Sequence, residues 1–258
     1  MVTRPVFLPN VNGVGVTVLT SAPFRWNPGF AFVQKQKNVL ALHAAICMKN
    51  PDFTPLEVSS KSKHDIGVRL SAFNLGVESK GRFCCVESVF QASKVFAGEI
   101  GPFPELYGED PSVVRAKIKG MGLPLVAFQT GEERWELNPT RAFYDWIYCR
   151  ALHRNSDLVC QLKEYNCFTD IEFNPVRSLN CQAYSVALYL SLQANGVLDD
   201  ALSNKKEFLK YHPKEIVDLA QTNSGARSER IKRSRTARQY ELFEVLQGAR
   251  NCHSKSPR

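Results

Sequence analysis

The spacing of apolar residues predicts short strands at the start of the chain and helices over most of the remainder. Valine alternates with Gly, Pro and Asn over residues 5–32, which is typical of strands joined by tight turns. Residues 67–73 and 168–173 also have an extended pattern. Apolar residues recur at helical intervals in the segments 31–48, 111–120, 139–153, 157–165, 179–193 and 204–219. The pattern therefore predicts a helix-rich α+β fold with a small set of short strands.

One segment, residues 84–96, combines a helical period with polar side chains of useful chemistry. At 100° per residue its apolar side chains form a broad surface that would face the core. Three polar residues group at the edge of that surface, namely Glu87, Gln91 and Lys94. A helix over residues 84–96 would therefore place a carboxylate, an amide and an amine beside an apolar wall.

The composition is that of an ordinary globular protein. Of 258 residues, 44% are hydrophobic and 22% are charged, which excludes wholesale disorder, collagen and a disulfide miniprotein. No apolar stretch reaches the roughly 20 residues that cross a bilayer, and the N-terminus lacks a secretion signal. We therefore expect a cytoplasmic protein with no membrane contact. The eight cysteines show no metal-ligand spacing, so we expect reduced thiols, no metal and no cofactor.

The positive charge is concentrated at the C-terminal end of the chain. Lys and Arg total 33 against 25 acidic residues, a net charge of +8. Residues 221–258 hold nine Lys/Arg and three Glu, or +6, which leaves +2 for residues 1–220. We therefore expect a folded domain at 1–220 and a basic, flexible tail at 221–258. Such a tail binds polyanions by counterion release, and its candidate nucleic-acid contacts are Arg227, Arg230, Lys232, Arg233 and Arg235.

The polar edge of residues 84–96 suits hydrolysis of an N-glycosidic bond. This reaction needs one group that stabilises or captures the electron-poor C1 of the sugar and one that handles the proton of the departing base. A glutamate such as Glu87 can stabilise C1 or transfer the proton, and a desolvated lysine such as Lys94 can attack C1 to form a Schiff base. The two residues are seven positions apart, which is roughly 10 Å along a helix. From spacing alone, a solvated polar edge is the commoner outcome.

Residues in and around this segment resemble a known family. The string VESVFQASKVF at 86–96, preceded by LSAFN at 70–74, resembles the NADAR family, which carries a serine-Asn-Phe segment and then S-x-E-H-x-x-Q-x-x-K on a helix. Further segments resemble the NADAR branch encoded beside a DNA ADP-ribosyltransferase toxin that modifies guanine, and these are residues 34–38, 56–62, 70–75, 143–152 and 182–183. The resemblance spans roughly residues 4–210.

The resemblance implies a helix-rich α+β domain that binds ADP-ribose and cleaves ribose N-glycosidic bonds. In this branch it implies removal of ADP-ribose from guanine in single-stranded DNA, which would reverse the toxin. Carried over by position, Glu87 matches the catalytic glutamate, Lys94 matches the motif lysine, and Gln91 would orient the ribose or base. Asp170 falls where the wider family has an acidic residue and joins the catalytic candidates. Three residues match the element that shapes the ligand pocket, namely Ser71, Phe73 and Asn74.

The chain departs from the family pattern at three positions. Ser88 stands where the motif has histidine, and Ala72 stands where the serine-Phe element has Asn. The tryptophan of the wider family aligns without gaps on Arg141, which becomes a ligand-binding candidate, although Trp135 lies near it in sequence. From these departures we expect substrate contacts that differ from those of the riboflavin-pathway N-glycosidases in the same family.

Two other groups have both a binding and a structural interpretation. Ser59, Ser60 and Lys61 could donate hydrogen bonds and positive charge to a pyrophosphate, or they could form a polar strand edge. Lys35 and Lys37 could contact the phosphates of DNA or ADP-ribose, or they could form a solvated helix face.

Three functions are consistent with the sequence. The first is a glycohydrolase that removes ADP-ribose from guanine in DNA and acts as an antitoxin. The second is an N-glycosidase acting on a free nucleotide or a riboflavin-pathway intermediate, which the near-neutral body suits. The third is a non-catalytic module that binds ADP-ribose or neutralises the toxin by contact. The expected partners are accordingly ADP-ribosylated DNA or ADP-ribose, and the cognate toxin.

Overall fold

The valine-rich N-terminal segment forms a hairpin in the main sheet. The structure is a computed structural model that describes residues 1–79, 81–174 and 178–212. Pro5 pairs with Thr20 and Pro9 with Val16 across the antiparallel hairpin. The strand order of the sheet is β2-β1-β9-β3, in which β9 is antiparallel to β1 and parallel to β3. These strands are β1 at Pro5–Pro9, β2 at Val16–Thr20, β3 at Pro55–Glu57 and β9 at Cys167–Thr169.

Two smaller sheets adjoin the polar motif along the chain. An antiparallel hairpin pairs Gly76 with Cys85 and leads directly into the motif helix. A three-stranded antiparallel sheet begins just after that helix. The strands are β4 at Gly76–Ser79, β5 at Arg82–Cys85, β6 at Lys94–Phe96, β7 at Leu125–Thr130 and β8 at Glu133–Trp135.

The described residues also form nine helices. They are α1 at Phe32–Lys49, α2 at Asp65–Arg69, α3 at Val86–Ala92, α4 at Pro111–Lys119, α5 at Ala142–His153, α6 at Ser156–Gln161, α7 at Gln182–Ala194, α8 at Leu198–Ser203 and α9 at Lys205–Tyr211. Short 3-10 turns occupy Pro104–Leu106 and Leu162–Glu164. The predicted helix-rich α+β class is confirmed. Within the described residues, no helix is long and apolar enough to cross a bilayer.

Helices α5 and α7 form the centre of the core. Helix α7 is buried along most of its length, and its Tyr184 packs edge-on against Phe7 of β1, with ring centroids 5.9 Å apart. On α5, the ring of Trp146 lies 5.5 Å from Trp135 and 5.3 Å from Phe208 of α9. Trp146 and Tyr148 are both fully buried core residues, in agreement with the helical apolar pattern of residues 139–153.

Two sequence-based predictions of secondary structure are wrong. The motif helix ends at Ala92 rather than at Phe96, and Lys94 begins β6. Residues 65–69 form α2, where an extended segment is predicted from residue 67. Gly67 lets α2 lie against β3, because a Cβ atom there would stand 2.1 Å from the carbonyl oxygen of Glu57. The predicted boundary at residue 220 and the basic tail lie outside the described residues.

Candidate functional site

The three polar residues of the motif form a continuous hydrogen-bonded chain, although they do not share one helix. The amide Nε2 of Gln91 donates to Oε1 of Glu87 at 3.0 Å. The amine Nζ of Lys94 donates to Oε1 of the same amide at 2.6 Å. Helix α3 supplies the first two side chains, and the first residue of β6 supplies the third. Gln91 therefore holds a carboxylate and an amine at the two ends of one amide group.

Arg115 of α4 is a fourth member of this site, and the sequence gives no signal for it. Its Nη2 donates to Oε1 of Glu87 at 2.6 Å, so this carboxylate oxygen accepts two hydrogen bonds. Among the described residues, no donor reaches the other oxygen, Oε2. The guanidinium also lies 5.7 Å from the ring centroid of Phe73. Glu87 is thus fixed through one oxygen while the other is left for a ligand or water.

The amine of Lys94 lies in a partly desolvated position. Burial lowers the pKa of Lys94, the nearby charge of Glu87 acts in the opposite direction, and the charge of Arg115 lowers the pKa further. The Lys94 amine also lies 5.5 Å from the ring centroid of Phe90. A lowered pKa increases the fraction of free amine at a given pH, which is the form that attacks carbon.

Lys94 lies at the boundary between two cavities. The first, about 340 Å³, is called the basic cavity here, and it is lined by Gln91, Lys94, Phe96, Arg115, Ile118, Lys119, Gly122 and Leu123. The second, about 250 Å³, is called the aromatic cavity, and its lining includes Phe90, Lys94, Phe128, Arg141, Phe143 and Tyr144. Lys94 is therefore the residue that the two linings share.

The wall of the aromatic cavity is a set of contacting rings. Phe128 stacks on Phe143 at 4.9 Å and lies 5.1 Å from Phe90. Tyr144 meets Phe90 edge-on at 5.3 Å. Burial raises the pKa of Tyr144 well above its usual value, and charges on Tyr148, Glu87 and Asp170 raise it further. Tyr144 is therefore a neutral, hydroxyl-bearing residue near two of the predicted catalytic carboxylates.

Arg141 lines the aromatic cavity but is held by the protein. Its backbone has φ +87°, a left-handed conformation that non-glycine residues seldom adopt. The guanidinium lies 3.5 Å from the ring centroid of Tyr184, and its Nη2 contacts Asp145 at 3.2 Å. Its buried Nε has no hydrogen-bond partner within the described structure. An unpaired buried donor beside a cavity is consistent with the predicted ligand-binding role.

The serine-Phe element is a tight turn beside the motif helix. Ser71 is buried, and its carbonyl oxygen accepts from the backbone N–H groups of Asn74 and Leu75. The side chain of Asn74 donates to the carbonyl oxygen of Val68 at 2.8 Å. Ser71 and Asn74 thus stabilise the turn, while Phe73 is 45% exposed beneath Arg115. Of the three predicted pocket residues, Phe73 is the one that extends toward Arg115.

Ser88 and Ala72, two of the three departures from the family pattern, connect elements of the site. Ser88 Oγ donates to the carbonyl oxygen of Glu109 at 2.7 Å and so joins α3 to the start of α4. The backbone N–H of Glu87 donates to the carbonyl oxygen of Ala72 at 2.9 Å. The N–H of Ala72 donates to Oε1 of Gln182 at 2.6 Å.

Asp170 is hydrogen-bonded to the same Gln182 side chain that accepts from Ala72. Gln182 Nε2 donates to its Oδ2 at 3.2 Å, and the N–H groups of Glu172 and Phe173 donate to its Oδ1. Burial raises the pKa of Asp170 to about 6. The structure thus links Asp170 to Glu87 through Gln182 and Ala72, with no direct hydrogen bond between the two carboxylates among the described contacts.

The residues predicted to bind a pyrophosphate, Ser59 to Lys61, follow β3 closely in the chain. One of them is hydrogen-bonded to a buried carboxyl group at the end of that strand. Ser59 Oγ donates to Oε1 of Glu57 at 2.6 Å. Burial, then the charge of Asp170, raise the pKa of Glu57 to about 8. Lys61 Nζ donates to Ser60 Oγ at 2.8 Å and lies 5.4 Å from the ring of Phe32. Within the described structure, no hydrogen bond joins these residues to Lys94.

The remaining nucleic-acid candidates fall on α1 or outside the described residues. Lys35 pairs with Glu172 at 3.2 Å, and Lys37 is exposed. The five candidates of the tail lie beyond residue 212, so the structure does not describe them. The nucleic-acid roles of all these residues stay predictions.

The fold and the site together define the class of protein. It is a helix-rich α+β domain with an E-x-x-x-Q-x-x-K motif whose lysine lines two cavities. Residues 2–222 match the family of DarT1-associated NADAR antitoxins, and the chain belongs to that family. A search of curated proteins finds no match.

Proposed function

We propose that this protein is an ADP-ribosylglycohydrolase that removes ADP-ribose from guanine in single-stranded DNA and acts as an antitoxin to DarT1. Membership in the DarT1-associated NADAR antitoxins supports the biological role. The reaction class is supported by one observation, the Glu87–Gln91–Lys94 chain at the junction of the two cavities. N-glycosidic cleavage needs an amine with a lowered pKa and a carboxylate that can accept a proton, and the second oxygen of Glu87 has no donor among the described residues.

The groups support a two-stage hydrolysis. In the first stage the free amine of Lys94 bonds to ribose C1, the C1–N bond to guanine breaks, and guanine takes up one proton. The amine loses that proton, and Glu87 transfers it. The ribose ring then opens to a Schiff base between C1 and the lysine nitrogen. In the second stage one water adds to C1, ADP-ribose leaves, and the lysine amine is restored.

In the alternative hydrolytic route, Glu87 activates water directly and Lys94 only binds the ligand. Both routes have the same net reaction, in which ADP-ribosyl-guanine and one water give guanine and ADP-ribose. They differ in whether a covalent lysine adduct forms, so trapping separates them.

The function is tested on an oligonucleotide that carries ADP-ribose on guanine. Wild type should restore unmodified guanine, seen as a gel shift and as the loss of the ADP-ribose mass. Glu87→Gln keeps the side-chain shape and removes the charge, so turnover should fall by about 10²–10⁴-fold while ADP-ribose binding persists. Glu132→Gln makes the same change at an exposed position outside the lining of both cavities and should turn over like wild type.

Two results would contradict the proposal. Equal turnover by wild type and Glu87→Gln would remove Glu87 from the reaction. The second result is a Glu87→Gln protein that lacks turnover but still protects cells fully against DarT1. It would show that the protein neutralises the toxin by contact, which is the non-catalytic alternative.

A further inference from the structure

We propose that the basic cavity holds the diphosphate of the ADP-ribosyl group and that Lys119 is a phosphate-binding residue. This assignment rests on the proposed function, because it places one part of the proposed substrate. It adds a residue that neither the motif nor the family match identifies.

Helix α4 presents Arg115 and Lys119 to the cavity as a fixed pair. The two residues are four positions apart, so they lie on the same face of the helix. The neighbouring residues Val114 and Ile118 are buried and pack in a cluster with Phe96. Because the apolar side of α4 is fixed in this way, the helix backbone that carries Arg115 and Lys119 stays at the wall of the basic cavity.

The positive charge of the basic cavity is only partly compensated. Three cations line it and no carboxylate does. Arg115 is paired with Glu87, and Lys94 donates to the neutral amide of Gln91. Lys119 forms no ion pair or hydrogen bond with the part of the chain that the structure describes. A diphosphate supplies the negative charge and the acceptor oxygens that these cations lack.

The covalent structure of the substrate determines which group enters which cavity. In ADP-ribosyl-guanine the base is bonded to ribose C1, and the diphosphate is esterified to the oxygen on C5 of the same ribose. If C1 lies at the amine of Lys94, the base and the diphosphate extend in different directions. The aromatic cavity offers rings on which a purine can stack. The diphosphate therefore enters the basic cavity, and the DNA strand leaves with the base on the other side.

At the competing diphosphate site predicted from the sequence, Ser59 to Lys61, the side chains already form hydrogen bonds within the protein. The hydroxyl of Ser59 donates to Glu57 and accepts from the N–H of Lys61 at 3.1 Å. The amine of Lys61 is directed to Ser60. A diphosphate there would have to replace these contacts, whereas Lys119 has none to replace among the described residues.

The assignment is tested by titrating full-length protein with free ADP-ribose in a calorimeter. ADP-ribose is the expected product, so it persists during the measurement. Lys119→Glu reverses the charge at the cavity, and we expect its affinity to fall about tenfold or more. Lys117→Glu makes the same change on the same helix at an exposed residue outside the cavity lining, and it should bind within about twofold of wild type.

Lys61→Glu provides the comparison between the two candidate sites. Weaker ADP-ribose binding by Lys119→Glu alone supports the assignment. The assignment is overturned if Lys119→Glu binds like wild type, if only Lys61→Glu loses affinity, or if Lys119→Glu loses affinity only for an unmodified oligonucleotide, which would indicate DNA backbone phosphates. The assignment is also overturned if the wild-type protein binds no ADP-ribose. In that case, hydrolysis of the modified oligonucleotide by the same preparation would show that the proposed function still holds.

Discussion

The amines of Lys94 and Lys117 have opposite surroundings, because Lys94 begins β6 whereas Lys117 lies within α4. Lys117 projects into solvent, whereas burial lowers the pKa of Lys94. A lysine attacks carbon as the free amine, and the free fraction rises with pH. We therefore expect the turnover number to rise with pH through an apparent pKa below the 10.5 of an ordinary lysine. Single-turnover rates on the modified oligonucleotide between pH 5 and about 10 measure this dependence.

Borohydride trapping identifies the lysine that carries the adduct. Reduction of the Schiff base during turnover should leave a stable mass increase on Lys94, located by peptide mapping. Lys94→Arg keeps the charge without a nucleophilic amine, so it should lose the adduct, whereas Lys117→Arg should keep it. Turnover by Lys94→Arg with no adduct on wild type would assign Lys94 to ligand binding and leave Glu87 to activate water.

At the residue scale, the sequence predicted the motif triad but not its surroundings. Helical spacing groups Glu87, Gln91 and Lys94, and the structure joins them by hydrogen bonds. Arg115 contacts Glu87 from a helix 28 positions away in the sequence. No local pattern marks that contact, because α4 is brought to α3 by long-range packing of apolar residues such as Ile118.

At the element scale, tertiary hydrogen bonds explain why the motif helix is shorter than predicted. Val95 and Phe96 fit the apolar positions of either a helix or a strand, so periodicity alone extends the helix through them. The carbonyl oxygen of Ser93 instead accepts from the N–H of Gln129 at 2.7 Å, and that of Ala92 accepts from Phe103. Strand β7 therefore ends the helix, and this change of direction places Lys94 between the two cavities.

Glu57 carries a pH-dependent contribution to the pairing of β3 with β9. It accepts from Ser59, Thr169 and the N–H of Ile171, and its pKa is raised to about 8. The folded state therefore keeps a proton that the unfolded chain releases above its ordinary pKa of 4.5. Because the folded state binds more protons, this contribution to stability declines as the pH rises from about 4.5 to about 8.

Glu57→Gln removes that titration and keeps the side-chain shape. Between pH 5 and 8, the free energy of unfolding should fall more for wild type than for the variant. The difference between the two losses should be roughly 2 kcal/mol or more. Urea unfolding at several pH values measures the difference, with the exposed Glu132→Gln as the matched control. Parallel stability curves for wild type and Glu57→Gln would show that Glu57 titrates alike in both states.

At the scale of the whole domain, one buried carboxylate connects α5, α7 and the end of α9. Asp145 accepts from Ser185 of α7, contacts Arg141 at 3.2 Å, and lies 2.9 Å from Nε2 of His212. Burial opposes ionisation of Asp145, but the charges of Arg141 and His212 and the hydrogen bonds to His212 and Ser185 keep its pKa below the usual value. Its contribution to stability is therefore present at neutral pH and is lost as the pH falls through that lowered pKa.

Asp145→Asn tests this connection against a surface pair of the same chemistry. The change leaves the guanidinium of Arg141 buried without its counter-charge, so we expect a loss of about 3 kcal/mol in unfolding free energy. Asp157→Asn breaks the exposed contact with Arg69 and should cost less than about 1 kcal/mol. Denaturant unfolding at pH 7 compares them, and equal losses would show that burial adds nothing to the Asp145 pair.

At the scale of the whole molecule, the basic residues of the C-terminal tail lie beyond the family match, which ends at residue 222. Residues 221–258 carry nine Lys/Arg and three Glu, so their binding to DNA should release counterions and depend on salt. Glutamine at all five tail candidates keeps the full chain and removes five positive charges, at Arg227, Arg230, Lys232, Arg233 and Arg235.

Each lost phosphate contact should lower the slope of log affinity against log salt by about 0.7 on single-stranded DNA, or by roughly 3 if most of the five residues bind. Binding of an unmodified oligonucleotide across a salt series measures that slope. Affinity for free ADP-ribose should stay constant, because the pocket residues are unchanged. An unaltered slope would mean that the folded domain provides the DNA contacts, and Lys35 and Lys37 of α1 would then be the next residues to replace.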